Sequence, residues 1–394
     1  MINARSIVHF HDPELLVLVS RLVRFGALLI YDSHENVPEQ ILSKPYLQPF
    51  WAKRVSNIVS VFENCRARRC AAVIGVTKEN VRRLSAYNGQ AFLVRNFPVL
   101  ASFDEVNFDE KEMQFLYAGG ITKIRGCAEI AEAAEKVNVP VCFYGPVESE
   151  NLEKEVANEF SSFGGVVPQK QLFSIMRGAS VGFLLFHKVP NHMVSCPNKL
   201  FEYMASGMAV IASDIPMWKE IIEKHKCGIC VDPQDIEEIA DAIAYMKSHP
   251  AEVKEMGRNG RAAVYKHYNW NTEAKTLLNC YQSVVSVSSG RNDAKNVKSE
   301  KQAKVFHITS VHTRYDTRIF AKECTTLAAH GYDVTLVVCD GNGNEERNGV
   351  HIVDAGDFSR CTRFERMLKA PKAILKVLKS IDASLTRGGG NSYP

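Results

Sequence analysis

Two segments of the chain bring cations and tight-turn residues together in a way that suits phosphate chemistry. The run YAGGITKIRG at 117–126 reads as a strand end entering a helix at 128–137. Gly119 and Gly120 let backbone amides approach a ligand closely, and a helix amino terminus adds positive potential. Lys123 and Arg125 place two cations beside those amides, an arrangement suited to a diphosphate. A plain strand–helix turn with solvated basic residues fits the same letters, because glycine turns are common. The second segment is PNKLFEYMASG at 197–207, followed by MAVIASD. Leu200, Tyr203 and Met204 have helical spacing and point inward, while Lys199 and Glu202, three apart, share a face. The carboxylate can accept hydrogen bonds from a ribose diol, and the ammonium at the helix start can meet phosphate. A surface ion pair is the competing reading.

Other polar residues stand at predicted strand ends. His11 closes the strand at 6–10 and precedes Asp12-Pro13; a turn-capping or core histidine is the alternative role. Asp32, His34 and Glu35 follow the strand at 27–31. No Asp-x-Asp pair occurs, and no His/Cys/Asp/Glu cluster has metal-ligand spacing along the chain, so no metal is expected. Cys227-Gly-Ile-Cys230 lacks a second ligand pair and enters a predicted strand, which reads as buried structure. Residues 360–379 form a basic amphipathic helix with Arg363, Arg366, Lys369, Lys372, Lys376 and Lys379 between Met367, Leu368, Ile374, Leu375 and Leu378; Pro371 is a candidate kink. Docking on anionic membrane and a solvated helix face both fit it.

The elements that must position these residues alternate. Strands at 6–10, 27–31, 114–118, 141–144, 181–186, 209–212 and 229–231 are separated by amphipathic helices. A further strand–helix–strand beginning follows at 305–308, 317–330 and 334–338. Such alternation implies parallel sheets covered on both faces, that is, doubly wound α/β domains. The 394 residues are 46% hydrophobic and 23% charged, ordinary for a globular chain of two or three domains. The net charge of +4 is too weak to argue for nucleic acid. Eleven scattered cysteines, an odd number, read as reduced cytoplasmic thiols. No basic segment leads into an apolar run at the start, and the most apolar stretch, 14–31, is interrupted by Arg21, Arg24 and Gly26.

Residues 114–281 resemble the nucleotide-binding domain of GT-B glycosyltransferases, specifically the retaining glycosyltransferase family 4. FLYAGGITKIRG is similar to that family's first strand and diphosphate loop, and VPVCFYGP, with Gly145, to the second donor-binding strand end. GGVVPQKQLFSIMRGASVGFLL resembles the segment whose backbone near Val166 and Val167 holds the base. PNKLFEYMASGMAVIASD resembles the donor-ribose helix and the strand after it. VHFHDPELL and YDSHENVPEQ are similar to strand-end motifs of the family's amino-terminal, acceptor-side domain. HITSVHTRYDTRIFAKECTTLAAHGYDVTLVV resembles that domain's beginning, so the chain looks circularly permuted.

The resemblance implies a GT-B fold of two Rossmann-like domains facing a cleft, in permuted order. Residues 1–100 would be the later part of the acceptor-side domain, 112–268 the nucleotide-sugar domain, 269–285 a crossover helix and 286–304 a linker. Residues 305–383 would open the acceptor-side domain, and 384–394 would be a disordered tail. His11, Arg125 and Lys199 would serve catalysis; Gly119, Gly120, Thr122, Lys123, Gly145, Val166, Val167, Asn198 and Glu202 would hold the donor. Asp12, Asp32, His34, Glu35 and Arg318 would lie on the acceptor side. The implied activity is transfer of a sugar, with retention, from a nucleotide-diphosphate sugar to a hydroxyl of a glycan or lipid-linked acceptor. It would need no metal or cofactor and would serve surface polysaccharide or glycolipid assembly. The chain would be cytoplasmic, with the inner membrane face as a docking surface. Two departures stand out: Val194 occupies the position of a common family glutamate, and Ile121 that of a common arginine. A nucleotide-sugar epimerase on the same architecture, a non-catalytic nucleotide-binding protein and an inactive permuted chain are the alternatives.

Overall fold

The computed structural model describes residues 6–42, 48–104, 106–289 and 303–381. Most of the expected linker at 286–304, and all of the expected tail at 384–394, lie outside the described residues. The chain divides into two compact units, Met1–Asn96 with Glu273–Pro394, and Phe97–Thr272. The division falls within the helix Trp270–Ser289.

The middle unit is built on six parallel strands. Their order across the sheet is Gly228–Val231, Ala209–Ser213, Val181–Leu184, Phe115–Ala118, Val141–Tyr144 and Ser161–Gly165. The inner strands read as near-continuous apolar runs because helices cover both faces. The chain starts at Phe115–Ala118, moves outward through two strands, then returns to lay Val181–Leu184 on the other side. The order therefore reverses between those two strands, and the carboxyl ends at such a switch point form a natural ligand crevice. Helix Cys127–Lys136 buries Ile130, Ala131, Ala133 and Ala134 against the sheet, and helix Asn198–Ala205 buries Leu200, Phe201, Tyr203 and Met204. Their helical spacing puts these apolar groups on one stripe and leaves Lys199 and Glu202 off it.

The other unit draws one sheet from both ends of the sequence. Its order is Glu345–Arg347, Val350–Asp354, Asp333–Val338, Lys304–Ile308, Ile7–Phe10, Leu28–Ser33, Ala72–Gly75 and Ala91–Leu93. All neighbours are parallel except the antiparallel pair at the Glu345–Arg347 edge. Val8, Phe10, Phe306 and Ile308 face a core that also takes Leu15, Leu22, Ala67, Leu84, Ile374 and Leu378 from a helical layer. With a period of two, His9 and His307 then point to the opposite face.

Three predicted helices differ in detail. The helix expected between the strands at 6–10 and 27–31 is a 3-10 turn Pro13–Leu18 followed by α-helix Val19–Arg24, consistent with proline at the first position. That expected at 317–330 opens as a π-turn, Ile319–Cys324, before the α-helix Thr325–Ala329. The basic helix runs from Arg363 to Ile381 straight through the buried Pro371. None of the described helices is long and apolar enough to cross a membrane.

Candidate functional site

The glycine turn of the middle unit sits at the sheet's switch point. Gly119 adopts φ +131° and donates its N–H to the Tyr144 carbonyl at 2.7 Å, which ties the first strand end to the second. Gly145, at φ +142°, in turn donates to the Gly165 carbonyl at 2.9 Å, so three strand ends are fastened in series. A Cβ on Gly145 would run into the Gly119 carbonyl, and one on Gly126 into the Leu185 carbonyl. Close backbone approach therefore requires glycine at both positions. Val166, exposed, and Val167, half-buried, follow directly on Gly165.

Two cations converge on this turn. Arg125, on the 3-10 turn Lys123–Arg125, donates from Nη1 to the Gly120 carbonyl at 3.3 Å, and its guanidinium lies 5.4 Å from the Phe186 ring centre. Lys199 enters from the helix Asn198–Ala205. Its stem is half-buried, but its Nζ is closed off from solvent and meets no hydrogen-bond partner among the described residues. The ammonium lies 4.0 Å from the Tyr117 ring centre and 5.4 Å from that of Phe186. A Cβ built on Gly119 would stand 2.5 Å from it. Burial, and then the neighbouring Arg125, lowers the Lys199 pKa to about 7. A buried cation without an acceptor is costly unless an anion completes the site. Thr122 Oγ1 is a second buried polar atom there without a partner in the described residues.

The other expected donor-side residues surround these. Lys123 is exposed, and its backbone N–H is held by Glu148 at 3.0 Å. Asn198 and Glu202 are half-buried on the Lys199 helix. Tyr203, which that helix buries, accepts the Ala118 N–H at 2.8 Å and locks the helix to the first strand end. Val194 ends the short helix Pro190–Met193, whose His192 is buried and donates to the His187 carbonyl at 2.9 Å. Tyr117 and Phe186, the aromatic walls of the cation pair, carry no spacing signal that sequence reasoning could have used.

In the other unit the strand register gathers histidines. His9 and His307 are partners in the ladder, and His11 lies two residues beyond His9 on the same face. His11 Nε2 meets His307 Nδ1 at 2.9 Å, and its Nδ1 meets His34 Nε2 at 3.2 Å. The Tyr281 hydroxyl bridges His9 Nδ1 at 2.7 Å and His307 Nε2 at 3.1 Å. Burial lowers all three inner imidazoles, His11 to about 4, so they stand neutral. Burial works against the Asp32 carboxylate as well, but Arg318 and His34 hold it below the usual range. Arg318 grips Asp32 with contacts of 2.9–3.1 Å and donates to the Val94 carbonyl at 3.0 Å. Burial raises the Glu323 pKa, against the pull of Arg318, whose Nε lies 3.0 Å from its carboxyl group.

The structure thus brings together His11, Asp32, His34 and Arg318 and adds His9, His307, Glu323 and Tyr281. His34, at 18% side-chain exposure, is the member open to solvent, whereas His11 and Asp32 are sealed. Asp12 serves elsewhere: its Oδ2 accepts Ser310 N–H, Ser310 Oγ and Thr309 Oγ1 and so ties two strand-end loops. Glu35 is exposed and accepts from Gln40. Spacing along the chain offered no metal-ligand cluster, yet folding sets ligating atoms of His9, His11, His307 and Glu323 within 4.8 Å of one another. Hydrogen bonding within the cluster already engages ring nitrogens of all three histidines. All eleven cysteines are free, and Cys227 and Cys230 are pushed up to about 12 by burial, which suits packing and not redox work.

Residues 99–263 match the family model of glycosyl transferases group 1. An MMP alpha-(1->4)-mannosyltransferase from Mycolicibacterium hassiacum is 26% identical over 86 residues, which span 22% of this chain and 21% of that relative. Sucrose-phosphate synthase from Thermosynechococcus elongatus superposes with a TM-score of 0.55 at 18% identity, covering 72% of this chain and 74% of that one. The fold is GT-B. Anabaena HepE in complex with UDP gives 0.53 at 12% identity over 73% of this chain and 79% of that one. The stretch matched to the family model lies within the middle unit, and the likeness to the solved structures is one of fold. The residues matched to the family model include the whole glycine turn, Arg125 and Lys199.

Proposed function

We propose that the chain is a retaining, metal-independent glycosyltransferase that uses a nucleotide-diphosphate sugar and a glycan or lipid-linked hydroxyl acceptor, in polysaccharide or glycolipid assembly at the inner face of the membrane. The observation that carries this reading is the sealed Lys199 ammonium, without a partner among the described residues, at a glycine turn beside Arg125. The Gly120 amide and the two cations receive the diphosphate, Glu202 the ribose diol, and the Val166–Val167 backbone the base. As the bond from the sugar's anomeric carbon to phosphate oxygen breaks, Arg125 and Lys199 stabilise the charge growing on the leaving group. The acceptor oxygen bonds to the same face of that carbon, and its proton passes to a departing phosphate oxygen, so configuration is retained without a covalent enzyme intermediate. His34 is the acceptor-side imidazole open to a hydroxyl, with His11 fixing its orientation. The sequence order is a rotated form of the family's, since residues similar to the family's opening lie in 305–338.

Titration calorimetry with uridine, guanosine and adenosine diphosphates, with and without EDTA, tests the reading. One nucleotide is expected to bind, unaffected by EDTA. Lys199→Met is expected to weaken it by about 100-fold, as loss of a charge-assisted bond implies, and Glu202→Ala by about tenfold. Wild-type affinity in both variants would overturn the site assignment; binding lost on chelation would overturn metal independence.

A further inference from the structure

The helix Pro49–Ala67 is amphipathic in the wrong sense for a helix that simply covers a sheet. Its buried side is small and polar: Ala52, Ser56, Glu63, Asn64 and Ala67. Ser56 donates to the Pro38 carbonyl at 2.7 Å, and Glu63 accepts from Tyr31 at 2.8 Å and Arg83 at 2.8 and 3.0 Å. Its solvent side carries Trp51, Val55, Ile58 and Phe62, whose 4-3-4 spacing makes a single stripe, with Phe50 and Val61 alongside. Trp51 is 55% and Ile58 69% exposed. A continuous apolar stripe of this size on a surface helix marks an interaction site.

The charges around the stripe choose the occupant. Glu63 is the helix's one acidic residue, and it is buried and paired with Arg83. The exposed or half-exposed charges are Lys53, Arg54 and Arg66; Arg54 lies over the Phe50 ring at 4.3 Å and Arg66 over Phe62 at 5.2 Å. Such cations keep their heads at the polar boundary while their stems lie along apolar groups. The same helical layer continues the positive field. Arg66 and Arg69 bond to Ser20, and beyond it the helix Arg363–Ile381 presents Lys369, Lys372, Lys376 and Lys379 to solvent. A second copy meeting the stripe by two-fold symmetry would set cation against cation. An anionic bilayer surface accepts both the apolar groups and the cations.

We infer that the exposed face of helix Pro49–Ala67 is a membrane-docking surface that inserts Trp51, Val55, Ile58 and Phe62 among anionic lipids, with the basic helix Arg363–Ile381 as an outlying electrostatic contact. The inference rests on the proposed function for its biological sense, since a lipid-linked acceptor requires the enzyme at a bilayer.

The test is cosedimentation of the full chain with vesicles of phosphatidylcholine alone and of phosphatidylcholine with phosphatidylglycerol. Recovery with the anionic vesicles only is expected, together with a blue shift of tryptophan emission. That shift reports Trp51, because Trp218 and Trp270 are already buried. Trp51→Ser with Ile58→Ser, two exposed positions whose folding is checked by melting, is expected to reduce vesicle binding by about tenfold or more. Lys53→Glu with Arg54→Glu is expected to do the same, most strongly at low salt. Equal recovery with both vesicle types, no recovery, or undiminished binding by the stripe variant would overturn the inference. So would a wild-type dimer that the stripe variant converts to monomer, which would assign the stripe to a second copy. Nucleotide calorimetry without vesicles, on the same proteins, separates the two readings: a wild type that docks but binds no nucleotide refutes the transferase and not the docking surface.

Discussion

Lys199 is where chemistry and stability meet in a single residue. Its folded pKa of about 7 lies far below that of a free lysine, about 10.4. A bound diphosphate favours the charged form, so nucleotide affinity should be flat below pH 7. It should fall by up to about tenfold per pH unit above that, until the pKa of the bound state is passed. Calorimetry at pH 8 in buffers of different ionisation heat should detect proton uptake on binding, and Lys199→Met should abolish it. Uptake unchanged in that variant would remove Lys199 from the phosphate site. The stability consequence has the opposite sense. Between pH 7 and the free-lysine value the unfolded chain binds more protons, so stability should rise with pH across that window. Lys199→Met should flatten part of the rise, while Lys111, also lowered to about 7 by burial, keeps the remainder. Of the residues involved, Lys199, Arg125 and Thr122 were legible because they lie within ordered motifs. His9, His307, Glu323 and Tyr281 were not, because their meeting depends on strand register across roughly 270 to 300 positions of sequence. The one local hint was His9 and His11 at the two-residue spacing of a strand face.

Among elements, the strand ends of the middle unit show why the turn is built from glycine. Gly145 at φ +142° meets the Gly119 carbonyl, so Gly145→Ala must displace the turn proposed to meet the diphosphate. A strained backbone and a steric shift together cost about 1–3 kcal/mol, which for a unit of this size lowers the melting temperature by about 5 °C. Nucleotide affinity should fall by at least about tenfold, because the Gly120 amide and the cations beside the turn lose their aim. Gly26→Ala is the control: φ is +81°, but nothing lies within 4 Å of the added Cβ, so only backbone strain should appear and nucleotide binding should be untouched. Equal nucleotide loss in both variants would show that the effect is general destabilisation. Strands were readable from apolar runs, with ends misplaced by a residue or two where the following turn is still apolar, as after Val181–Leu184. The π-turn Ile319–Cys324, with its bond from Glu323 N–H to the Arg318 carbonyl, was beyond reach, since it accompanies the Arg318 side chain's pairing with both Asp32 and Glu323.

The whole chain is unusual in how one sheet is filled. Ile7–Phe10 lies between Lys304–Ile308 and Leu28–Ser33, so strands from both ends of the sequence are central neighbours. Motif order alone makes this arrangement legible, because segments similar to a domain's opening stand after residue 304. What motifs could not supply is the local geometry at the two places where the order could be cut and joined. The helix Arg363–Ile381 brings Lys379 to 5.0 Å from the Phe25 ring centre, and Leu28, three residues on, donates its N–H to the Ser6 carbonyl at 3.0 Å. Residues near 381 and near 6 thus both approach the Phe25–Leu28 segment of the same unit, and a flexible joint can span them. A chain reordered to start at 303, run to 381, join to 6 and end at 289 should fold to the same two units. Its melting temperature should stay within about 5 °C of the original and its nucleotide affinity within about threefold, since no packed contact changes. Calorimetry and thermal melting read both. A reordered chain that binds nucleotide through the middle unit but shows no cooperative melting of the other unit would mean that the present connection, and not the sheet's own packing, holds the two ends of the sequence in one sheet.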